Sequence, residues 1–370
     1  MRFKTWTTGL VYQYLLKPVF FLVPPDRMHA LILVVGRFIN RSRFLQTFTK
    51  WWLSYENNKL VQQIFGIKYP NPVGLSAGFD KNAEMLNVFP VVGFGFMEVG
   101  SITKDSYEGN PPPHAFRLRK TKSLVVNYGL KNQGLAAIMP RLSAYYPGKI
   151  PLNISVAKTN CQATADETCG INDYVATLNQ LATRQIGDMY TLNISCPNAF
   201  GGEPFTDPDS LERLLTEVDT IKVKCPIFLK MPIDLPWEKF QQLLEVVVRH
   251  NVQGVTIGNL TKQRQNIKDQ LPEHIKGGLS GLPTQALSNS LIGHTYQTYG
   301  QRLVIIGVGG IFSAADAYEK IKRGASLVEL ITGMIFQGPQ LIGQINAGLE
   351  QLLEGDGYQH ISEAIGAYYK

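Results

Sequence analysis

Cysteine is scarce in this chain of 370 residues, which has only Cys161, Cys169, Cys196 and Cys225. They form neither CxxC pairs nor a framework spacing, which excludes a zinc site built from paired cysteines and a disulfide scaffold. We therefore expect a reducing compartment.

Acidic residues are nearly missing from the first 50 positions, where Asp26 is the one acid. The basic residues there are Arg2, Lys4, Lys17, Arg27, Arg37, Arg41, Arg43 and Lys50. This excess equals the net charge of +7 of the whole chain, so residues 51–370 are neutral overall. A nucleic-acid partner is not expected, because it would require a basic stripe on the folded body. A basic, apolar segment favours an anionic membrane surface instead.

A long uninterrupted apolar run is also missing. The run from Leu10 to Val23 contains Gln13, Lys17 and Pro18, and it is shorter than the roughly 20 residues of a spanning helix. No small-residue cleavage site follows it, so a cleavable signal peptide is not indicated. The lack of acids would also fit an organelle presequence.

Residues 1–50 are predicted to form a two-helix hairpin. Apolar helices are expected from Val11 to Val23 and from Met28 to Ile39, separated by Pro24-Pro25 and with Asp26 as an N-cap. Basic residues and aromatic residues follow, a mixture typical of helices that lie in the membrane interface. The alternative is a hairpin packed on the body with its apolar face simply buried.

From about residue 71, short apolar segments alternate with amphipathic segments. Strands are predicted at 72–78, 94–102, 150–157, 189–196, 227–231, 254–258, 303–308 and 326–331, and helices at 173–185, 210–224, 237–249, 284–299 and 314–323. Eight such units predict an α/β fold, a closed (β/α)8 TIM barrel spanning residues 51–370. Residues 116–127 resemble an inserted hairpin after the second strand, on the face where barrel active sites lie.

The stretch YTLNISCPN at 190–198 places Cys196 at the carboxyl end of a predicted strand, where Pro197 ends further pairing. Ligands of parallel α/β folds are held at that edge. Cys196 is therefore a candidate for chemistry on a small molecule. The alternative is a buried, inert thiol in a strand-end turn.

Two glycine-rich loops near the end of the chain indicate a phosphate site. Gly307, Gly309 and Gly310 follow the seventh predicted strand, and a helix is expected to begin near Ser313. The eighth predicted strand ends at Thr332-Gly333. Loops after strands seven and eight are the usual phosphate site of a barrel, so we predict a phosphorylated cofactor, although GVGG alone could be a tight turn.

Amides and a lysine at other strand ends suggest that this cofactor is a flavin. Asn153, Asn193 and Asn259 lie at or near strand ends, and Lys230 closes the fifth strand, where its charge would stabilise an anionic reduced flavin. Lys81, after the small residues 76–78, would suit a carboxylate substrate, unless it is an exposed lysine at a helix start. Beside a flavin, Cys196 could act as general base if its surroundings favour the thiolate.

Longer motifs extend this interpretation: GLSAGFDKNAE, EVGSIT, EGNPPPHAFRL, NISCPN, GGLSG, IIGVGGI and GASLVELITG. With them the chain resembles the dihydroorotate dehydrogenases, specifically their quinone-reducing, membrane-associated class, over nearly its whole length. The resemblance implies oxidation of dihydroorotate to orotate on bound FMN in pyrimidine biosynthesis, with a membrane quinone as acceptor. It also implies a peripheral membrane protein, on the cytoplasmic face of a bacterial membrane or, alternatively, on the mitochondrial inner membrane.

The resemblance assigns a role to individual residues by motif. Cys196 would be the catalytic base, and the substrate would contact Lys81, Asn127, Gly129, Leu130, Asn193, Asn198 and Asn259. FMN would contact Ala77, Gly78, Ser101, Asn153, Asn193, Lys230, Gly258, Gly281, Gly309, Gly310, Thr332 and Gly333. His29 and Arg117 would line the quinone tunnel, and no metal is expected.

The chain also departs from that class. The catalytic base of the quinone class is normally Ser, whereas a Cys such as Cys196 is typical of the soluble class. A soluble-type enzyme using fumarate or NAD therefore stays an alternative. A barrel scaffold without activity is another. Asn127 lies one place late in the substrate loop. Gly258, Leu260 and Ile331 replace the usual Thr, Thr and Tyr.

Overall fold

The computed structural model describes residues 2–265 and 267–370. Its strands are β1 Gln62–Ile64, β2 Ile67–Tyr69, β3 Val73–Leu75, β4 Phe96–Ile102, β5 Ala115–Leu118, β6 Ser123–Val126, β7 Leu152–Val156, β8 Met189–Asn193, β9 Ile227–Met231, β10 Gly254–Ile257, β11 Gly278–Leu279, β12 Val304–Val308 and β13 Leu327–Leu330. In the described residues β3, β4, β7, β8, β9, β10, β12 and β13 pair in parallel, in chain order, into a closed barrel. The predicted (β/α)8 barrel is confirmed, and each predicted barrel strand overlaps an observed one.

The helices are α1 Arg2–Val11, α2 Lys17–Phe20, α3 Pro25–Arg41, α4 Arg43–Leu53, α5 Val88–Val92, α6 Leu135–Tyr145, α7 Glu167–Arg184, α8 Pro208–Asp219, α9 Trp237–Val247, α10 Gln285–Tyr299, α11 Ala314–Lys322, α12 Thr332–Gln337, α13 Leu341–Gly355 and α14 Ile361–Ala364. Several begin at side-chain caps: Asp166, Asp207 and Ser313 accept the backbone N–H groups that open α7, α8 and α11. The main core lies between the barrel and these helices, because parallel strands are covered on both faces.

An antiparallel hairpin lies between β4 and α6. Its strands β5 and β6 pair with each other, and β11 adds a third strand against β6. This small sheet projects from the carboxyl face of the barrel, so its residues can cover the ligand side.

The N-terminal helices differ from the prediction in their extent. The first helical segment runs from Arg2 to Phe20 through a π-helical turn at Tyr12–Leu16, the second is α3, and α4 is an additional helix that contains the expected boundary at residue 50. Asp26 is not an N-cap, because Pro24 occupies that position. The Asp26 carboxylate instead accepts hydrogen bonds from the Tyr128 hydroxyl and the His114 backbone N–H.

These helices expose large apolar side chains to solvent. Representative members are Trp6, Tyr14, Leu22, Phe38, Phe44 and Trp51, each more than half exposed. Over the described ranges, no helix combines the length and the hydropathy needed to cross a bilayer.

Candidate active site

A cavity of about 540 Å³ lies at the carboxyl ends of the barrel strands and continues between the hairpin and the N-terminal helices. The predicted site residues that line it are His29, Ala77, Gly78, Lys81, Ser101, Arg117, Gly129, Leu130, Asn193, Cys196, Asn198, Lys230, Gly258, Asn259, Gly281, Gly309, Gly310, Thr332 and Gly333. Residues far apart in the sequence thus meet around one space.

Asn127 and Asn153 are the predicted residues that the structure does not bring to this wall. Side chains alternate along β6 and its extension, so Val126 and Tyr128 face the cavity and Asn127 faces away, where its Oδ1 accepts from Asn110. The structure therefore does not bring the Asn127 side chain to the cavity wall, and the substrate contact expected of it stays a prediction. Asn153 lies buried inside the barrel and donates to Thr191, while its Oδ1 has no partner among the described residues.

The Cys196 thiol lies three residues beyond β8, beside the cavity. Burial raises its pKa to about 11, although the Asn198 backbone N–H and the charges of Lys230 and Lys158 act in the opposite direction. The sequence interpretation required surroundings that favour the thiolate. The structure shows the reverse, so this thiol is protonated at neutral pH and must transfer its proton before it can act as a base.

Amide side chains near Cys196 are held in fixed orientations by hydrogen bonds. Asn193 donates to the Ser101 hydroxyl at 2.8 Å, and Asn259 donates to the Ser195 carbonyl at 2.5 Å and to its hydroxyl at 2.8 Å. Asn198 donates to the Val126 carbonyl at 2.8 Å, which ties the Cys196 loop to the hairpin. Hydrogen bonds within the protein therefore set the orientations of these amides.

Lys81 lies at the junction of the barrel and the N-terminal helices. Its Nζ is 3.9 Å from the centre of the Tyr128 ring, and the Tyr128 hydroxyl donates to Asp26. Burial lowers the Lys81 pKa to about 8, an effect that the carboxylates of Asp80 and Asp26 partly oppose. A desolvated ammonium group at a cavity wall attracts a carboxylate strongly.

The two predicted glycine loops lie side by side. Gly309 and Gly310 have positive φ values of 104° and 70°, and a Cβ at Gly333 would collide with the Ile311 carbonyl oxygen. The Thr332 hydroxyl is 2.8 Å from the Ser280 hydroxyl. Glycine is required here for close backbone approach, and the surface formed by N–H and O–H groups fits a phosphate.

The barrel interior below the cavity contains two buried glutamates that sequence reasoning missed, Glu98 and Glu329, beside the predicted Lys230. Lys230 Nζ lies 3.4 Å from Glu98 Oε2, which also accepts the Ala77 backbone N–H. Glu329 faces Glu98, and burial next to that carboxylate raises the Glu329 pKa well above its usual range. The sequence signal that could have found them is a glutamate inside an otherwise apolar strand. Glu98 lies in FMEVG and Glu329 in SLVEL. Their proximity therefore favours a proton shared between the two carboxyl groups, and the remaining negative charge lies beside Lys230.

Replacing Glu329 by glutamine is expected to stabilise the protein increasingly as the pH rises. Because the folded-state pKa of Glu329 lies above the ordinary 4.5, the unfolded state releases this proton first, and wild-type stability falls as pH rises above that value. The glutamine amide of the variant would donate a hydrogen bond to Glu98 without this penalty. Unfolding temperatures between about pH 5 and about pH 8 would measure the effect. The exposed Glu354→Gln variant should show no such trend, and a pH-independent difference for Glu329→Gln would contradict the shared proton.

His29 and Arg117 lie where the cavity passes between the barrel and the N-terminal helices. His29 Nε2 donates to the Phe79 carbonyl at 2.8 Å, and burial lowers the His29 pKa to about 4, so the ring is neutral. Arg117 donates to the Val23 carbonyl at 2.5 Å, while its buried Nε has no hydrogen-bond partner among the described residues. Arg117 thus lines the cavity with one buried donor unsatisfied.

A closed (β/α)8 barrel with a thiol, fixed amides, a buried lysine and a glycine-lined phosphate cradle at one end defines the class of flavin-dependent barrel oxidoreductases. The sequence pattern of the family described as Dihydroorotate dehydrogenase matches residues 59–353. The chain belongs to the dihydroorotate dehydrogenase family.

Relatives of the chain carry the name dihydroorotate dehydrogenase (quinone). One from Synechocystis sp. is 36% identical, covering 85% of this chain and 84% of its own. Another, from Sulfurimonas denitrificans, is 35% identical, and the alignment covers 95% of this chain and 97% of the relative. The crystal structure of DHODH from Eimeria tenella in complex with ferulenol superimposes with a TM-score of 0.82 at 27% identity, covering 94% of this chain and 96% of that one. The similarity includes the N-terminal region as well as the barrel.

Proposed function

We propose that this protein oxidises dihydroorotate to orotate and passes the electrons to a membrane quinone, a step of de novo pyrimidine biosynthesis. The observation that carries the proposal is the continuity of one cavity. It contains Cys196 and Lys81 at the barrel end and apolar side chains of α3 and the preceding helices, such as Ile32 and Leu16, at the other. A quinone that arrives from a bilayer can therefore reach the barrel without crossing water.

We propose FMN as the flavin. Its phosphate fits the backbone of Gly309, Gly310 and Gly333 with the Thr332 hydroxyl, and its ring system fits the space bounded by Ala77 and Gly78, Ser101 and Lys230. When bound, FMN supplies a hydride acceptor. Lys230 would supply positive charge to that ring, and a proton shared by Glu98 and Glu329 would keep the surrounding barrel interior close to neutral.

The residues around the substrate divide the chemistry among them. Lys81 binds the substrate carboxylate, and the fixed amides of Asn193, Asn198 and Asn259 hold the polar edge of its ring. Cys196 removes a proton from carbon once its own thiol is deprotonated. The burial that raises the thiol pKa also limits the access of water to the reacting atoms.

The exposed apolar side chains of the N-terminal helices support peripheral membrane association. We propose that they insert into one leaflet of a bacterial cell membrane from the cytoplasmic face. The quinone then enters between these helices and meets His29 and Arg117 before the barrel.

The function is tested by two separated half-reactions. Anaerobic addition of dihydroorotate should bleach the bound flavin, and a quinone analogue added afterwards should restore its colour. Fumarate and NAD serve as competing oxidants. Recovery on fumarate or NAD but not on quinone would reject the quinone assignment, and a flavin that never bleaches would reject the substrate.

Arg117→Met is expected to slow reoxidation by quinone by about tenfold and to leave bleaching by dihydroorotate unchanged. The reason is the loss of a charge-assisted hydrogen bond from a buried guanidinium group. Stopped-flow absorbance of each half-reaction measures the two rates. Arg119→Met is the matched control, because Arg119 bonds to the Phe21 carbonyl but does not line the cavity. Equal slowing in both variants would indicate a loosened helix contact instead of a quinone contact.

A further inference from the structure

A second depression, of about 920 Å³, lies where α4 meets the end of α3, α5 and the barrel body, and it is lined by residues that do not line the cavity described above. One wall is a stripe of α4 at helical spacing, formed by Arg43, Gln46, Thr47 and Lys50. Lys149 of the barrel body faces it. We call this depression the basic groove.

The charge of the basic groove is strongly one-sided. Its cations are Arg41, Arg43, Lys50 and Lys149, and its acid is Glu56. Glu56 pairs with Lys50 at 2.8 Å, and both side chains are more than half exposed, so this ion pair is weak. Among the described residues, no ion pair or hydrogen bond involves the guanidinium group of Arg41 or of Arg43. The groove therefore carries a net positive charge, and no acidic side chain in the described part of the chain pairs with its two exposed arginines.

The floor of the groove is fixed in position. Gln46 is buried, donates to the Asn40 carbonyl at 2.9 Å and accepts from Lys149 Nζ at 3.4 Å. This side chain therefore links the end of α3, helix α4 and the barrel body. Because the cations are mounted on linked elements, less conformational entropy is lost when they close on a ligand.

A second stripe of α4 runs beside the basic one and is apolar. Phe44, Phe48 and Trp51 are 78%, 52% and 58% exposed, and Trp51 also lines the groove. A helix with adjoining aromatic and cationic stripes matches the boundary between acyl chains and headgroups. A free phosphate would use only the cations, whereas a phospholipid would use both stripes.

We propose that the basic groove binds the phosphate of an anionic phospholipid whose acyl chains lie along the aromatic stripe of α4. This inference rests on the proposed membrane association. Arginine suits the ligand, because a guanidinium group binds a phosphate through two parallel hydrogen bonds. The bound lipid orients α4 and, with it, the mouth of the cavity on the bilayer.

The test is flotation of the flavin-loaded protein with vesicles of phosphatidylcholine alone or mixed with phosphatidylglycerol. Wild type should bind the mixed vesicles more tightly. The double variant Arg41→Gln/Arg43→Gln should lose about fivefold in affinity per charge, roughly 25-fold in total, on mixed vesicles, and little on phosphatidylcholine. The control Lys222→Gln/Lys224→Gln removes the same charge from exposed lysines outside the groove and should retain binding. Reduction of the flavin by dihydroorotate should be unchanged in both, which shows that they are folded.

The remaining outcomes separate the hypotheses. Wild type that binds neither vesicle overturns the membrane association and the groove together. Wild type that binds both vesicles equally, or a double variant that keeps its preference for phosphatidylglycerol, overturns only the groove. Full recovery in Arg41→Lys/Arg43→Lys would indicate diffuse attraction without a phosphate site. Displacement from mixed vesicles by millimolar inorganic phosphate at constant ionic strength would indicate a soluble anion as the ligand.

Discussion

Cys196→Ala is expected to slow bleaching of the bound flavin by dihydroorotate by about 10²- to 10⁴-fold, the usual contribution of a positioned general base. The flavin should stay bound, because its proposed contacts come from the glycine loops and Lys230. Anaerobic stopped-flow absorbance measures the rate, and substrate titration of the variant separates binding from chemistry. Cys225→Ala is the matched control, since Cys225 is a partly buried thiol that does not line the cavity. Bleaching at the wild-type rate in Cys196→Ala would contradict the assignment of Cys196 as the general base.

The pH profile of the same reaction tests the state of the thiol. Burial raises the pKa of Cys196 to about 11, so the thiolate fraction grows about tenfold per pH unit throughout the neutral range. The efficiency of bleaching at low substrate should therefore rise with pH from about pH 6. In Cys196→Ala this rise should vanish. A flat wild-type profile would mean that the proton transfer does not depend on this thiol.

Lys81→Met is expected to weaken dihydroorotate binding by roughly 30-fold or more, because it leaves a substrate carboxylate in an apolar cavity without its partner charge. Methionine keeps most of the length of the side chain and removes only its charged end, so the shape of the cavity changes little. Substrate titration under anaerobic conditions gives the affinity. Lys262→Met is the control, because Lys262 is exposed and lies outside the cavity wall. Equal affinity in Lys81→Met and wild type would show that the substrate carboxylate does not bind at Lys81.

Lys81 also sets the upper limit of the wild-type pH profile. Its pKa is about 8, so its positive charge is present below that pH and is lost above it, and the efficiency of bleaching should reach a plateau near pH 8. The plateau arises because loss of this charge offsets the growing thiolate fraction of Cys196. In Lys81→Met the efficiency should start far lower and continue to rise beyond the pKa of about 8 that Lys81 has in the wild type. The two variants thus assign the rise of the pH profile to Cys196 and its plateau to Lys81.

Most of the fold was predictable because it follows from local patterns. Each barrel strand is a short apolar run, and the helices between them show regular amphipathic spacing and cap residues such as Asp207 and Ser313. The glycine loops were equally visible, since Gly309 and Gly310 adopt backbone conformations that favour glycine.

The errors arose where a residue had a distant partner. Asp26 had the sequence context of a cap, but it bonds to Tyr128 and the backbone of His114, which no local pattern reveals. Asn127 matches a substrate motif, and only the fold shows that its side chain bonds to Asn110. The helices at the start were predicted too short, because apolar periodicity does not mark where the polar ends of a helix stop.

The sequence by itself determined the barrel, the position of Cys196 at a strand end, the phosphate loops and the basic, apolar start of the chain. Only the tertiary structure decided the pairing of Glu98 with Glu329 around Lys230, the raised pKa of Cys196 and the path of the cavity to the N-terminal helices. Local patterns fix the backbone, because each residue's conformation depends mainly on its neighbours in the chain. Desolvation and charge coupling depend on which strands the closed barrel brings together, and that information exists only after folding.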